Sequence, residues 1–366
     1  MKIVTQRDNL LKPLQQIGGV VERRQTLPIL ANVLINARTD QLTITATDLE
    51  VEMKTSAPVT SDGELDFTLP ARKLIDICRA LPENSEIQLT VEKDRAVLKS
   101  GRSRFTLGIL PAQDYPAIEP TVSSHHFSVS QKLLKNLIDK THFAMAQQDV
   151  RYYLNGLLLE VGSGIIRTVA TDGHRLASSE EACDLEEGID VQVILPRKAV
   201  LELGRLLEDV EEKVEVDISS NHVRLKMGET SFTSKLIDGK FPDYQRVIPK
   251  NFDKTVIADR DELKQALQRT SILSNEKYRG IRFQFTQGRL QLLAHNPEQE
   301  EAEEEMEIDY KGEELTIGFN VGYLIEALNV IDSSSVKLSL SDANSSCLVQ
   351  DTKTDNNRYV IMPMRL

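Results

Sequence analysis

Thr45-Ala46-Thr47-Asp48 returns as Thr168-Val169-Ala170-Thr171-Asp172, and a third time as Leu292-Leu293-Ala294-His295-Asn296. Asp48, Asp172 and Asn296 stand about 124 residues apart, close to a third of the 366-residue chain. After each copy an apolar, strand-like step leads into a helical pattern. These steps are Phe67-Thr68-Leu69-Pro70-Ala71-Arg72-Lys73, Val193-Ile194-Leu195-Pro196-Arg197-Lys198 and Ile317-Gly318-Phe319-Asn320. Units of this length bury a core of their own, so the period predicts three similar domains and not a solenoid. Polar, proline-containing stretches at 119–126 and 249–254 set the expected bounds: 1–125, 126–252 and 253–366.

Each third reads as two similar halves, each with one helix and several strands. Helical spacing of apolar residues predicts six helices, over 7–17, 70–81, 131–142, 197–208, 260–271 and 321–331. Pro13 sits inside the first, where it must kink the helix or mark its first turn. Period-two alternation predicts strands: Leu42, Ile44 and Ala46, then Ile166, Thr168 and Ala170, then Leu290, Leu292 and Ala294. A second set is Ile87-Leu89-Val91, Val214-Val216-Ile218 and Val336-Leu338-Leu340, counted at alternate positions. Sheets with one buried face, packed under helices, give an α+β fold with antiparallel sheets.

Hydrophobic content of 40% and charged content of 27% fit an ordinary water-soluble domain protein. The first residues carry charge and lack an apolar core segment, so a signal peptide is not expected. No run approaches the roughly 20 apolar residues of a membrane span. Cys78, Cys183 and Cys347 form no C-x-x-C pair, and a reduced, cytoplasmic setting is expected.

A net charge of −12 argues against nucleic acid unless the charge is segregated. It is segregated. The six helical patterns hold roughly 14 Lys and Arg against roughly 8 Asp and Glu, about +6 in all. Arg72-Lys73 and Arg197-Lys198 occupy equivalent helix starts, where the helix dipole favours acids. Positive charge at such places in two repeats points to a polyanion facing the helices. There is no zinc-finger spacing, no basic zipper and no Trp, so backbone attraction without base reading is the form of contact expected.

The most chemistry-like string is Thr171-Asp172-Gly173-His174-Arg175-Leu176. Asp172 and His174 could serve a hydrolase or nuclease as an acid–base pair. Asp-Gly is also a turn signal, and in the first repeat Asp48 is followed by Leu49-Glu50 with no histidine. The turn reading is preferred, and no catalytic residue is expected. The acidic run 298–307 offers consecutive carboxylates that point to different sides, so it reads as a charged edge and not a metal site. Its complement is the basic cluster Arg95, Arg102 and Arg104. Gly18-Gly19 lacks phosphate-loop spacing. Neither metal nor cofactor is expected.

Several stretches together resemble one family. They are Arg151-Tyr152-Tyr153-Leu154-Asn155-Gly156, Thr171 to Leu176, Phe241-Pro242-Asp243-Tyr244, Ser274-Asn275-Glu276-Lys277-Tyr278-Arg279-Gly280, Asn296-Pro297-Glu298-Gln299-Glu300-Glu301-Ala302 and Met362-Pro363-Met364-Arg365-Leu366. The chain is similar, from end to end, to the bacterial DNA sliding clamps, the β subunits of the DNA polymerase III holoenzyme. The resemblance implies three clamp domains and a head-to-tail homodimeric ring, with helices lining a central hole and antiparallel sheets outside. It implies a processivity factor without catalytic activity that encircles duplex DNA and slides on it. Such a ring tethers the replicative polymerase and other replication and repair proteins through short peptides, and an ATP-dependent clamp loader opens it.

Two sets of residues, the pocket and the dimer interface, carry over from the resemblance, and a third, the DNA contacts, is read from predicted loops and basic helix starts. A partner-peptide pocket between domains two and three is expected at Arg151, Tyr153, Leu154, Thr171, Gly173, His174, Arg175, Leu176, Pro242, Val247, Val360, Met362, Pro363, Met364 and Arg365. Asn344 stands where that family pattern calls for an apolar pocket residue. DNA contact is expected at Arg24, Arg72, Lys73, Gln148, Arg197 and Lys198. A dimer interface is expected to join Ile77, Leu81, Phe105 and Leu107 to Ile272 and Leu273 of the other chain. Across it, Arg95, Arg102 and Arg104 would face Glu298, Glu300, Glu301, Glu303 and Glu304.

Overall fold

The structure is a computed structural model and describes residues 1–21, 27–118, 122–185 and 188–365. Arg24 lies outside the described residues. Six α-helices occur among them: α1 (Arg7–Ile17), α2 (Ala71–Ala80), α3 (Gln131–Thr141), α4 (Arg197–Leu206), α5 (Arg260–Ser271) and α6 (Val321–Asn329). All six correspond to predicted helices, and α1 and α5 match to the residue. Helix α2 is one residue shorter at each end than predicted, and α3, α4 and α6 stop one or two residues early. Pro13 lies in the middle of α1 and is buried there, not in its first turn. Lacking an N–H, it leaves the Asn9 carbonyl without its helical donor.

The strands form four antiparallel sheets, and the chain groups into two compact units. The first unit comprises Met1–Lys132 and Leu201–Leu236. It holds a five-stranded sheet with Ser103–Gly108 at one edge, and an eight-stranded sheet running from His125–Ser130 to Leu65–Pro70. Its core includes Leu14, Ile17, Ile44, Ala46, Leu74 and Cys78, and α1 packs against α2. The second unit comprises Leu133–Val200 and Ile237–Leu366. It holds an eight-stranded sheet from Asp190–Pro196 to Lys254–Asp259, and a four-stranded sheet with Glu301–Glu307 at one edge. Here α5 packs against α6 and leans on Glu301–Glu307.

The units do not follow the thirds, because sheets run across the repeat boundaries. In the first unit Val51–Pro58 pairs with Thr230–Lys235, with Val51 opposite Ser234 and Lys54 opposite Ser231. In the second, Arg175–Ala182 pairs with Asn357–Ile361, with Leu176 opposite Val360. Each junction joins a first-half strand of one third to a second-half strand of the next.

Helix starts differ in a way that bears on charge. Asp259 caps α5 by accepting from the Glu262 N–H at 2.9 Å, and Asn320 caps α6 through the Gly322 N–H at 2.9 Å. Pro70 precedes α2 without a side-chain cap, and no acid lies in the first turn of α2 or α4. No helix among the described residues is long and apolar enough to cross a membrane.

Candidate peptide groove

The eight-stranded sheet of the second unit builds the site. Antiparallel register puts Ile194, Leu158 and Val169 in one row, and Leu176, Val360 and Leu348 in another. Directly paired residues share a face, and these six form one apolar cluster with Phe241 and Tyr244. Tyr153, Ile237, Ile248 and Phe252 pack against it. The segment from Phe241 to Phe252 therefore covers the apolar half of this sheet face.

Three residues of the expected pocket are buried. Leu154 and Leu176 are each 2% exposed and Val360 is 0%. The accessible apolar surface is the rim. Val247 and Met362 are each 38% exposed, and Pro242 and His174 are exposed beside them. Met362 and Met364 belong to a tail that is pinned by its backbone. The Met362 N–H donates to the His174 carbonyl at 3.0 Å, and the Met364 N–H to the Gly318 carbonyl at 2.7 Å. Pro363 and Met364 are half-buried and Arg365 is exposed. Asn344 is exposed in a turn, its N–H on Asp342 Oδ1 at 2.8 Å.

The Thr171–Leu176 turn explains the Asp172/His174 pair. Asp172 Oδ1 accepts from the backbone N–H groups of His174 at 2.9 Å and Arg175 at 3.0 Å. Its Oδ2 accepts from Arg175 Nε at 3.1 Å. Thr171 Oγ1 donates to the Arg175 carbonyl and accepts from the Gly173 N–H at 3.1 Å. The first repeat is built alike: Asp48 Oδ1 accepts from Glu50 and Val51 N–H groups at 2.9 and 2.7 Å. The carboxylate is a turn cap, and this geometry lends the hydrolase or nuclease reading no support.

The polar groups of the site have distinct duties. Arg175 is buried, with its guanidinium on Glu326, on the Phe143 carbonyl at 2.7 Å, and 4.5 Å from the Tyr323 ring centre. It braces the wall and has little surface to offer a ligand. Arg151 is exposed and held in place by Asp149, with Nε and Nη2 bonds of 3.0 and 2.8 Å. Those bonds hold the Asp149 carboxyl down to about 2. Sequence reading missed Asp149; the available signal was an acid two residues before Arg151. Gly173, at φ 88°, gives Arg151 room: a Cβ there would lie 3.0 Å from both terminal guanidinium nitrogens.

The other expected sites are not part of this groove. Arg72 and Lys73 are exposed in the first turn of α2, and Gln148 is exposed in a loop at φ 57°. Arg197 and Lys198 are half-buried, with Arg197 Nη1 on the Met145 carbonyl at 3.3 Å. Arg95, Arg102 and Arg104 are exposed, the last two beside or within the edge strand Ser103–Gly108. Leu81 and Leu107 are 6% and 7% exposed, so they pack inside the first unit and leave Ile77 and Phe105, half-buried, as apolar surface. Ile272 is 76% exposed and Leu273 half-buried. Of the acids, Glu304 is taken by Arg269 at 2.6 and 2.9 Å, and Glu303 and Glu300 accept from Gln291 and Asn296, while Glu298 and Glu301 are exposed.

Comparison with known proteins agrees across the whole chain. Family profiles for the N-terminal, central and C-terminal domains of the DNA polymerase III beta subunit match residues 1–119, 128–243 and 245–365. The beta sliding clamp of Pseudomonas aeruginosa is 53% identical and that of Escherichia coli K12 47% identical, each over 100% of both chains. A crystal structure of the P. aeruginosa sliding clamp bound to griselimycin superposes with a TM-score of 0.97 at 53% identity, over 100% of both chains. The Caulobacter crescentus pol III beta structure does so with a TM-score of 0.94 at 40% identity, again over 100% of both chains. With three domain profiles in order and full-length relatives this close, the chain belongs to the DNA polymerase III beta subunit family, the beta sliding clamps, which are non-catalytic processivity factors of DNA replication.

Proposed function

We propose that the chain closes into a head-to-tail homodimeric ring around duplex DNA. One topological observation carries this reading. At each internal junction a first-half strand pairs with a second-half strand of the next third. The same rule leaves two strands over, Ser103–Gly108 and Glu301–Glu307, and both are sheet edges. Exposed edges invite pairing with another chain. One edge carries Arg102 and Arg104 and the other a row of glutamates, so they complement each other and repel their own kind. Pairing between two chains supplies the missing junction twice and closes the assembly.

Three thirds per chain then give six domains per ring. Arg72, Lys73, Gln148, Arg197 and Lys198 are the proposed DNA contacts, together with Arg24. Contacts to phosphate alone permit sliding, whereas base-specific contacts would stall it. The groove of the second unit is proposed to take short peptides from the replicative polymerase, the clamp loader and other replication and repair proteins in the cytoplasm. The proposed domain bounds are 1–125, 126–252 and 253–366.

The test is topological. Protein loaded on nicked circular DNA should be retained and should be lost when the circle is cut. Equal retention on linear DNA, or a monomer mass at working concentration, would reject the ring.

A further inference from the structure

We infer that Arg167, locked between Glu160 and Glu180, is a positioning residue for peptide capture: it fixes Tyr244 and so the 241–248 wall of the groove. This rests on the groove reading above and goes beyond it by assigning a role to residues outside the groove.

The sheet places the three charges in a row. Glu160 lies opposite Arg167, and Arg167 opposite Glu180, on three neighbouring strands. They share the face that carries Leu158, Val169 and Leu176, so the charged row flanks the apolar half of the same surface. Arg167 Nη1 donates to Glu160 Oε2 at 2.9 Å, and Nε donates to Glu180 Oε2 at 2.7 Å. All three side chains are at most a quarter exposed. Gln192 adds a bond to Glu160 Oε1 at 2.8 Å.

Tyr244 joins this row to the groove. Its hydroxyl donates to Glu160 Oε2 at 2.5 Å and accepts from Arg167 Nη1 at 3.1 Å. Its ring packs in the apolar cluster with Leu176 and Val360. The rim residues Pro242 and Val247 lie two residues before it and three after. The backbone bonds at Arg246, Val247 and Ile248 are local, reaching back to Asp243 and Tyr244. Local bonds shape the segment without tying it to the sheet, so the hydroxyl clamp is a tie that does. Glu160, Arg167 and Gln245 also line an open cleft, through which water can compete once the clamp loosens. A wall held in advance lowers the ordering cost of binding.

Fluorescence polarisation of a labelled polymerase-derived peptide on the full-length dimer tests this. Tyr244→Phe removes one oxygen and keeps the ring, and Arg167→Met removes the charge at similar length. Each should weaken binding by about 3- to 10-fold, chiefly through faster dissociation, with the dimer mass unchanged. Glu160→Gln keeps an acceptor for the tyrosine hydroxyl but gives up one of the two charges that hold Arg167, so its loss should be smaller than that of Tyr244→Phe. A merely structural role would not separate Glu160→Gln from Tyr244→Phe in affinity. Wild-type affinity in Tyr244→Phe overturns the inference even if Arg167→Met proves too unstable to measure. Absence of binding by the wild-type protein removes the groove reading itself, and the inference with it.

Discussion

Leu49, at φ 79°, and Gly173, at φ 88°, hold the same place in the same turn of two different repeats. Each N–H donates to the threonine hydroxyl two residues before it, at 3.1 Å in both turns. The turn demands a left-handed residue, and only the second copy supplies glycine. The reason is the neighbour: Gly173 lies against the Arg151 guanidinium, where no Cβ fits without a shift. Gly173→Ala should therefore cost about 1–2 kcal/mol of stability and weaken peptide binding as Arg151 moves. Leu49→Gly relieves the same backbone strain and should cost little or nothing. Urea melts of the two variants check the pair; equal losses would show that the turns are not equivalent.

That turn also shows how far the sequence could be read. The repeat exposed Asp48 and Asp172 as one structural device, and alternation placed Leu42, Ile44 and Ala46 on a buried face, where they are at most 2% exposed. Helices were legible because their apolar spacing is local. The strand pairing across repeat boundaries was not: nothing local says that Leu176 faces Val360. The charged row shows the same limit. Glu160, Arg167 and Glu180 are 7 and 13 residues apart and meet only through register. Resemblance places Leu81 and Leu107 at the dimer contact, and how far each is already covered within its own unit, at 6% and 7% exposed, depends on packing that the sequence does not display.

The Asp149–Arg151 pair makes a pH prediction. Arg151 holds the Asp149 carboxyl at about 2, below its ordinary value of 3.8. A depressed carboxyl contributes above its unfolded value, and the contribution fades as pH falls from about 4 towards 2. Peptide binding should therefore not respond to this pair between pH 5 and 8, an interval in which the carboxyl stays ionised. A carboxyl-carbon NMR titration with a midpoint near 3.8 would show that the pair is not formed.

At the proposed dimer contact, Ile272 is the apolar residue with most to bury. Ile272→Ala with Leu273→Ala should produce monomers, since each lost anchor costs on the order of 1–3 kcal/mol in a buried interface. Light scattering at low micromolar concentration decides it, and a persistent dimer would place the interface elsewhere. Salt should weaken the wild-type dimer only modestly, because the apolar anchors remain. Glu304→Gln should matter less than Glu301→Gln, as Glu304 already has Arg269 within its own chain.

DNA contact should be read from salt dependence. Each of Arg72, Lys73, Arg197 and Lys198 that touches phosphate should lower the slope of log affinity against log salt by about 0.9 when removed. Arg72→Ala with Lys73→Ala should show the largest change, because both side chains are exposed. Sequence preference should stay flat in every variant. A variant with an unaltered slope removes that residue from the DNA path.

The tail gives the most direct test of the groove. Met362 to Arg365 follow the strand Asn357–Ile361, and two backbone bonds, to His174 and Gly318, carry the segment on beyond the strand's end. Pro363 stiffens the step between the two methionines, and limiting the freedom of the free chain makes this pinning less costly. Met362 is 38% exposed whereas Leu176 and Val360 are buried, so loss of the segment is expected to leave the sheet core in place. A peptide anchor of one or two apolar side chains supplies a few kcal/mol, which corresponds to affinity of about micromolar order. Methionine repacks easily around different anchors, which suits a site shared by several partners. Deleting residues 362–366 should therefore abolish binding of a polymerase-derived peptide and of the loader's clamp-opening subunit. The melting temperature and the dimer mass should change little. Fluorescence polarisation measures the first effect, and light scattering with thermal melts the second. Wild-type affinity in the truncated protein would move the partner site away from this groove, whereas loss of the dimer would show that the tail serves assembly instead.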